Sequence, residues 1–273
     1  MAGGAIVQLG VTLRNMGAQS TPATMRACAL AAEAAGLESL WITDHIAIPP
    51  DDAEGSDGRY VDPLTTLAWM AGFTERIKLG VGVMVLPYRP PLPFAKSVSA
   101  VQELSTGRLL LGVGIGWMQS EFRALGVPLH ERGRRSDATL EFLNRCFAED
   151  VVSANGQDFL FKPRPAKPPV LVGGSAPHAL ARAARFGDGW LPMGGKPAAL
   201  AASIADYRRR TDLAGRPPGS VTVMTGLDST DVGAARARIE EYDAIGVTRI
   251  ICAVRYADLT AYRSRIDSLA ALL

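Results

Sequence analysis

Residues 77 to 117, IKLGVGVMVLPYRPPLPFAKSVSAVQELSTGRLLLGVGIGW, constrain the fold most, because two glycine-punctuated apolar strands flank one amphipathic helix. Ile77, Leu79, Val81, Val83 and Val85 alternate with Gly80 and Gly82, so one face carries bulk and the other lets a backbone or a flat ligand come close. Leu109 to Ile115 repeats the pattern, with Gly112, Gly114 and Gly116. Between them Phe94, Val98, Val101 and Leu104 recur at helical spacing, and Gly107 stands where a left-handed C-cap is expected. This is a βαβ unit, and its near-continuous apolar strands fit a parallel pair covered on both faces. Its glycines admit two readings, tight packing of large against small residues or a floor for a planar cofactor. The spacing G-x-G-x-G and the loop that follows argue against a Rossmann fingerprint.

The same alternation runs through the chain. Strands are predicted at Ala5–Val11, Ser39–Thr43, Ile77–Val85, Leu109–Ile115, Pro169–Gly173, Gly189–Met193, Val221–Leu227 and Arg249–Val254. Helices are predicted at about 22–35, 63–74, 94–104, 133–147, 176–186, 197–213, 230–245 and 259–272. Thr21 is the expected N-cap of the first. Eight repeats in about 250 residues favour a closed TIM (β/α)8 barrel over an open doubly wound sheet. The stretch from Glu149 to Pro168 reads as a small hairpin inserted between helix four and strand five, turning at Asn155-Gly156. With no long linker, residues 1–273 are expected to form one domain. Segments 46–62 and 117–132 are long enough to be functional loops, with a role as lids left open.

Composition narrows the function. A net charge of +2, with no basic run beyond Arg208–Arg210, gives no footprint for nucleic acid. No apolar run reaches membrane-spanning length and the start lacks a signal-peptide pattern, so a cytoplasmic protein is expected. Cys28, Cys146 and Cys252 are far apart in apolar surroundings and read as buried free thiols. With three scattered histidines they suggest no metal site. A Schiff-base aldolase would need a lysine at a strand end, whereas Lys78 opens its strand at the other end.

In a TIM barrel the chemistry sits where the strands end. Those positions hold Asp44 and His45, Gly82 to Leu86, Gly114 to Trp117, and Gly173, Gly174, Ser175 and Ala176. His45 is the one histidine so placed, and it reads either as a proton donor or cofactor contact, or as a hydrogen-bonded residue that orients its loop. The turn Gly173–Ala176 leads into a helix whose first amides and dipole could hold a phosphate, or else is a plain αβ turn capped by Ser175. His130 and His178 have no comparable placement.

Four segments, LWITDHI at 40–46, LGVGVMVLPYRPPLPFAKSVSAVQELSTGRLLLGVGIGW at 79–117, EFRALGVPLHERGRR at 121–135 and VLVGGSAPHALARAARFGDGW at 170–190, together resemble the luciferase-like monooxygenase superfamily, most nearly its coenzyme F420-dependent oxidoreductase branch. The resemblance implies a TIM barrel that lays the ring of F420 or FMN across the strand ends, and a homodimer. It implies that Asp44 and His45 border the ring. Gly82 and Val83 would form a bulge behind it, often with a non-proline cis peptide. Gly114 and Gly116 would contact the ring, and Gly174 and Ser175 would hold the phosphate. Members that oxidise sugar phosphates carry a glutamate after the strand-four glycines, where this chain has Trp117. Among five lysines none is placed to grip a substrate phosphate. The expectation is therefore hydride transfer between F420 and a small, weakly charged organic substrate, with His45 as the catalytic candidate. Trp41, Tyr88 and Trp117 would line the substrate pocket, with core packing as the alternative for Trp41. An FMN-dependent monooxygenase and a non-catalytic flavin- or deazaflavin-binding protein are the other readings.

Overall fold

The computed structural model describes residues 7–273, so Ala5 and Ile6 of the first predicted strand lie outside the described residues. The chain alternates as predicted. β1 (Gln8–Thr12), α1 (Pro22–Ala34), β2 (Ser39–Ile42), α2 (Pro63–Ala71), β3 (Lys78–Val85), α3 (Pro91–Leu104) and β4 (Leu109–Gly114) make up the first half. There follow α4 (Gln119–Ala124), α5 (Arg132–Ala148) and a hairpin of β5 (Val151–Ala154) and β6 (Gln157–Leu160). The second half contains β7 (Val170–Gly173), α6 (His178–Phe186), β8 (Gly189–Leu191), α7 (Pro197–Leu213), β9 (Ser220–Thr225), α8 (Val232–Ala244), β10 (Arg249–Cys252) and α9 (Leu259–Ala270).

Eight parallel strands close in the order β1-β10-β9-β8-β7-β4-β3-β2, and β5 and β6 pair only with each other. The hairpin turns at Asn155 and Gly156, both left-handed at φ 52° and 77°, as its Asn-Gly sequence requires. Helix caps follow the chain's polar punctuation. The side chains of Thr21, Asp62, Asp231 and Asp258 accept first-turn amides of α1, α2, α8 and α9. α6 begins two residues later than expected, at His178, since a residue before proline is pushed out of the helical region and Ala176 precedes Pro177. The segment 117–132, read as loop, contains α4. Among the described residues no helix is long and apolar enough to cross a membrane.

Two apolar layers hold the barrel. The larger lies between strands and helices; the smaller fills the interior with Trp41, Leu110, Leu171, Leu191 and Ile251, joined by Val83 and Met224. Trp41 is therefore not part of a substrate pocket, contrary to one reading above. Alternation along β2 turns its indole inward, where it is fully buried and donates to Ser39 Oγ at 2.8 Å. The three cysteines are free and buried. At the N-terminal rim Glu38, just before β2, bridges Arg249 (2.7 and 2.8 Å) and Lys78 (2.9 Å), tying β10 and β3 across β1 and β2. Burial opposes ionisation of Glu38, but Arg249, Ser39 and Lys78 outweigh it and hold the carboxyl at about 2.

Candidate active site

The opposite end of the barrel opens into a cavity of about 440 Å³. Asp44 and His45 after β2, Gly82 and Val83 in β3, Gly114 and Gly116 at β4, Gly173 and Gly174 at β7, and Tyr88 and Trp117 all line it, together with Met193 beyond β8. Of the expected site residues only Trp41, Ser175 and Ala176 are missing from its wall. Trp41 lies in the interior layer, and the other two are exposed beyond Gly174. A second cavity, about 520 Å³ beside Lys196, Thr225 and Tyr242, shares neither the histidine nor the glycine wall.

The glycines of β3, β4 and β7 have distinct partners, Gly80 and Gly112 below the cavity and Gly114 and Gly173 on its wall. A Cβ on Gly80 would come within 2.4 Å of the Trp41 ring, and one on Gly112 within 2.2 Å of the Val81 carbonyl oxygen. At Gly114 and Gly173 the obstacle is Val83, 2.5 and 2.7 Å away through its two methyl groups. Val83 sits where the β3–β4 register shifts, between Val81 and Met84, and the Gly82–Val83 peptide is cis, as the resemblance implied. Much of the glycine space is thus taken by this one side chain and by Trp41, as the packing reading expects. The glycines serve packing, and Gly82, Gly114, Gly116, Gly173 and Gly174 also line the cavity.

Asp44 has its charge matched from within. Arg89 donates to both carboxylate oxygens at 2.7 and 2.9 Å, and the Val85 amide adds a third bond at 2.8 Å. Arg89 also reaches Asp62 at 2.9 Å. Burial disfavours the guanidinium charge, yet Asp44 and Asp62 prevail and raise its pKa. This bidentate pair fixes the end of β3 against the end of β2 and leaves the cavity wall without net charge there.

Sequence reasoning missed Glu121. It lies in the first turn of α4, is fully buried, and gathers four polar partners. Its Oε1 accepts the amides of Ile46 (2.6 Å) and Ala47 (3.0 Å), and its Oε2 faces His45 Nδ1 (2.9 Å) and accepts Tyr88 Oη–H (2.8 Å). Burial alone would raise its pKa, but His45, the two amides and Tyr88 outweigh that and bring it down to about 2. Burial, reinforced by Glu121, pushes the Tyr88 phenol well up. The available signal was a lone acid between apolar Met118 and Phe122, four residues after the strand-end Trp117. It went unread because the stretch lacked a recognisable helix. His45 lines the cavity with its ring packed on Tyr60 (centroids 4.9 Å apart), and no described residue engages its Nε2.

At the turn into α6, Gly174 adopts φ 116°, its carbonyl accepts Trp190 Nε1–H at 2.8 Å, and the Ser175 carbonyl accepts the Ala179 amide at 3.2 Å. The amides of Ser175 and Ala176 donate to no described atom. They sit at the positive end of the helix, beside the cavity's Gly174.

Comparison with known proteins agrees with this architecture. The family model for luciferase-like monooxygenases matches residues 4–249. An uncharacterised protein of Mycobacterium tuberculosis is 34% identical over 245 residues, 83% of each chain. The F420-dependent hydroxymycolic acid dehydrogenase of the same organism is 30% identical over 221 residues, covering 77% of this chain and 60% of that one. Among solved structures, the monooxygenase RslO1 from Streptomyces bottropensis superposes with a TM-score of 0.81 at 20% identity, covering 97% of this chain and 98% of the other. An F420-dependent secondary alcohol dehydrogenase in complex with an F420-acetone adduct gives 0.78 at 15% identity, covering 98% of each.

Proposed function

The chain belongs to the luciferase-like monooxygenase family and is an oxidoreductase, and from that premise we propose that it transfers a hydride between coenzyme F420 and a small, weakly charged organic substrate. The 30%-identical relative named as F420-dependent supports the choice of cofactor. The residues of the mouth suit a planar, neutral ring. The wall between Gly82 and Gly174 is mostly peptide and methyl groups, and the one carboxylate on it is neutralised by Arg89. The unpaired amides of Ser175 and Ala176 supply a landing for a phosphate of the cofactor's tail. Once bound, F420 would furnish or take up the hydride, chemistry that belongs to the cofactor itself.

The remaining work falls to the chain. His45 carries the proposal, because it is the titratable side chain on the cavity whose reactive nitrogen is unclaimed, while Asp44 is held by Arg89. In the direction of reduction the doubly protonated ring of His45 gives its Nε2 proton to the carbonyl oxygen as the carbon gains hydride; in oxidation the bare Nε2 of the neutral ring takes the hydroxyl proton. Val83 and Tyr88 close the cavity, while Trp117, 73% exposed, and Met193 offer apolar surface at its lip. No lysine lines it. An uncharged alcohol or ketone with an apolar body matches that lining better than a sugar phosphate.

Fluorescence titration with F420 and with FMN tests the reading, followed by turnover of a panel of secondary alcohols and ketones. Tighter binding of F420 and faster turnover of apolar substrates than of sugar phosphates are expected. Tighter binding of FMN, with oxygen consumption by the reduced form, would defeat the proposal in favour of monooxygenation.

A further inference from the structure

We propose that Glu121 is a positioning residue that holds His45 in the tautomer protonated on Nδ1, leaving Nε2 to the cavity. The tautomer follows from the carboxylate alone; its catalytic meaning rests on the role given to His45 above.

The geometry is restrictive. A carboxylate offers about four lone-pair sites and, when ionised, no hydrogen to donate. Three of the sites on Glu121 take obligate or near-obligate donors, the amides of Ile46 and Ala47 and the hydroxyl of Tyr88. The fourth lies 2.9 Å from His45 Nδ1. A bare Nδ1 there would set a lone pair against a buried carboxylate with no water between them, so Nδ1 carries hydrogen. The side chain of Glu121 is fully buried and reached by four groups from two other loops, which leaves it one orientation. It holds the backbone after His45 as well as the ring. A residue from β2's loop is therefore oriented by the helix that follows β4, and the ring cannot rotate without breaking that bond.

Neutral imidazole in water favours hydrogen on the other nitrogen, so the device has a spectroscopic signature. The whole chain, labelled with nitrogen-15 at histidine, gives three imidazole signals, and the exposed His130 and His178 are assigned by His130→Gln and His178→Gln. His45 is expected to show a protonated Nδ1 and a bare Nε2 in the neutral form. A neutral His45 with hydrogen on Nε2 overturns the proposal, whatever the enzyme's activity.

Glu121→Gln preserves shape while presenting an amide that can donate to Nδ1. The expected result is an inverted or mixed tautomer. Turnover should fall on the order of 100-fold, the scale of a lost proton transfer, with KM and cofactor affinity changing only a few-fold. Loss of affinity and stability with the tautomer unchanged would mean that Glu121 merely packs, and the proposal falls. Should Glu121→Gln fail to fold, Tyr88→Phe decides the matter. Retention of the Nδ1–H form supports Glu121 as the determinant, and inversion assigns that role to Tyr88 instead. Failure of the wild-type protein to bind F420 or FMN would sink the functional reading while leaving the tautomer measurement standing.

Discussion

Gly80→Ala tests whether the barrel interior is built around Trp41. The new methyl carbon would lie 2.4, 2.5 and 2.7 Å from Cδ2, Cε3 and Cε2 of the indole, where carbon atoms in contact prefer about 3.5–4.0 Å, so the ring must retreat by about 1 Å. It has nowhere to go. The ring is fully buried, its Nε1 is tied to Ser39, and Gly10 on the neighbouring strand already approaches so closely that a Cβ there would meet Nε1 at 2.9 Å. The cost should therefore reach the upper end of the overpacking range, about 3 kcal/mol. At about 2–4 °C per kcal/mol for a chain near this size, Tm should drop by roughly 6–12 °C. Thermal melts followed by circular dichroism measure it, and Trp41→Phe supplies the control. In that background Gly80→Ala should cost less by at least about 1 kcal/mol, because neighbours in contact are not additive. An unchanged Tm, or additive effects in the double variant, would refute the claim that Trp41 is a fixed interior plug.

His45→Ala should lower turnover on the order of 100-fold while leaving cofactor affinity within a few-fold, as read by steady-state kinetics beside fluorescence titration; an equal loss in both would assign His45 to binding only. Arg89→Met leaves Asp44 buried with only the Val85 amide, and should destabilise the fold by about 3–5 kcal/mol in urea titrations, a loss that adding Asp44→Asn should largely restore. Glu38 and Glu121 are both held at about 2 against an ordinary value of 4.5, so their stabilisation is complete above pH 4.5 and fades as the pH falls towards 2. Denaturation midpoints of Glu38→Gln should therefore fall less steeply between pH 5 and 3 than those of the wild type, and parallel slopes would contradict the assignment.

The repeating periodicity was enough to read the barrel, because each strand is buried on both faces and each helix on one, and burial writes itself into residue order. The strand-end positions of Asp44, His45, Gly82, Val83, Gly114 and Gly116 followed from topology together with family resemblance, and all of them line the cavity. What stayed hidden depends on partners distant in sequence. Trp41 reads equally as wall or plug until the interior layer is seen, since the decision lies with Gly80 and Gly10 on other strands. Glu121 resembles any solvent-facing acid of a loop until Ile46, Ala47, His45 and Tyr88 converge on it from more than thirty residues away. The onset of α6 falls two residues later than read, because Pro177, expected inside the first turn of a helix from about 176, stands instead as its N-cap.

Val83 touches the space above both Gly114 and Gly173, so three strands share one steric decision. Exchange of that valine for alanine would loosen two neighbouring strands at once, whereas any side chain gained at either glycine demands a smaller residue at 83. Descendants of this chain can reshape the mouth only by changing these positions in concert. Diversification for new substrates is therefore channelled toward the lip, where Trp117 and Met193 stand largely in solvent and can vary one at a time.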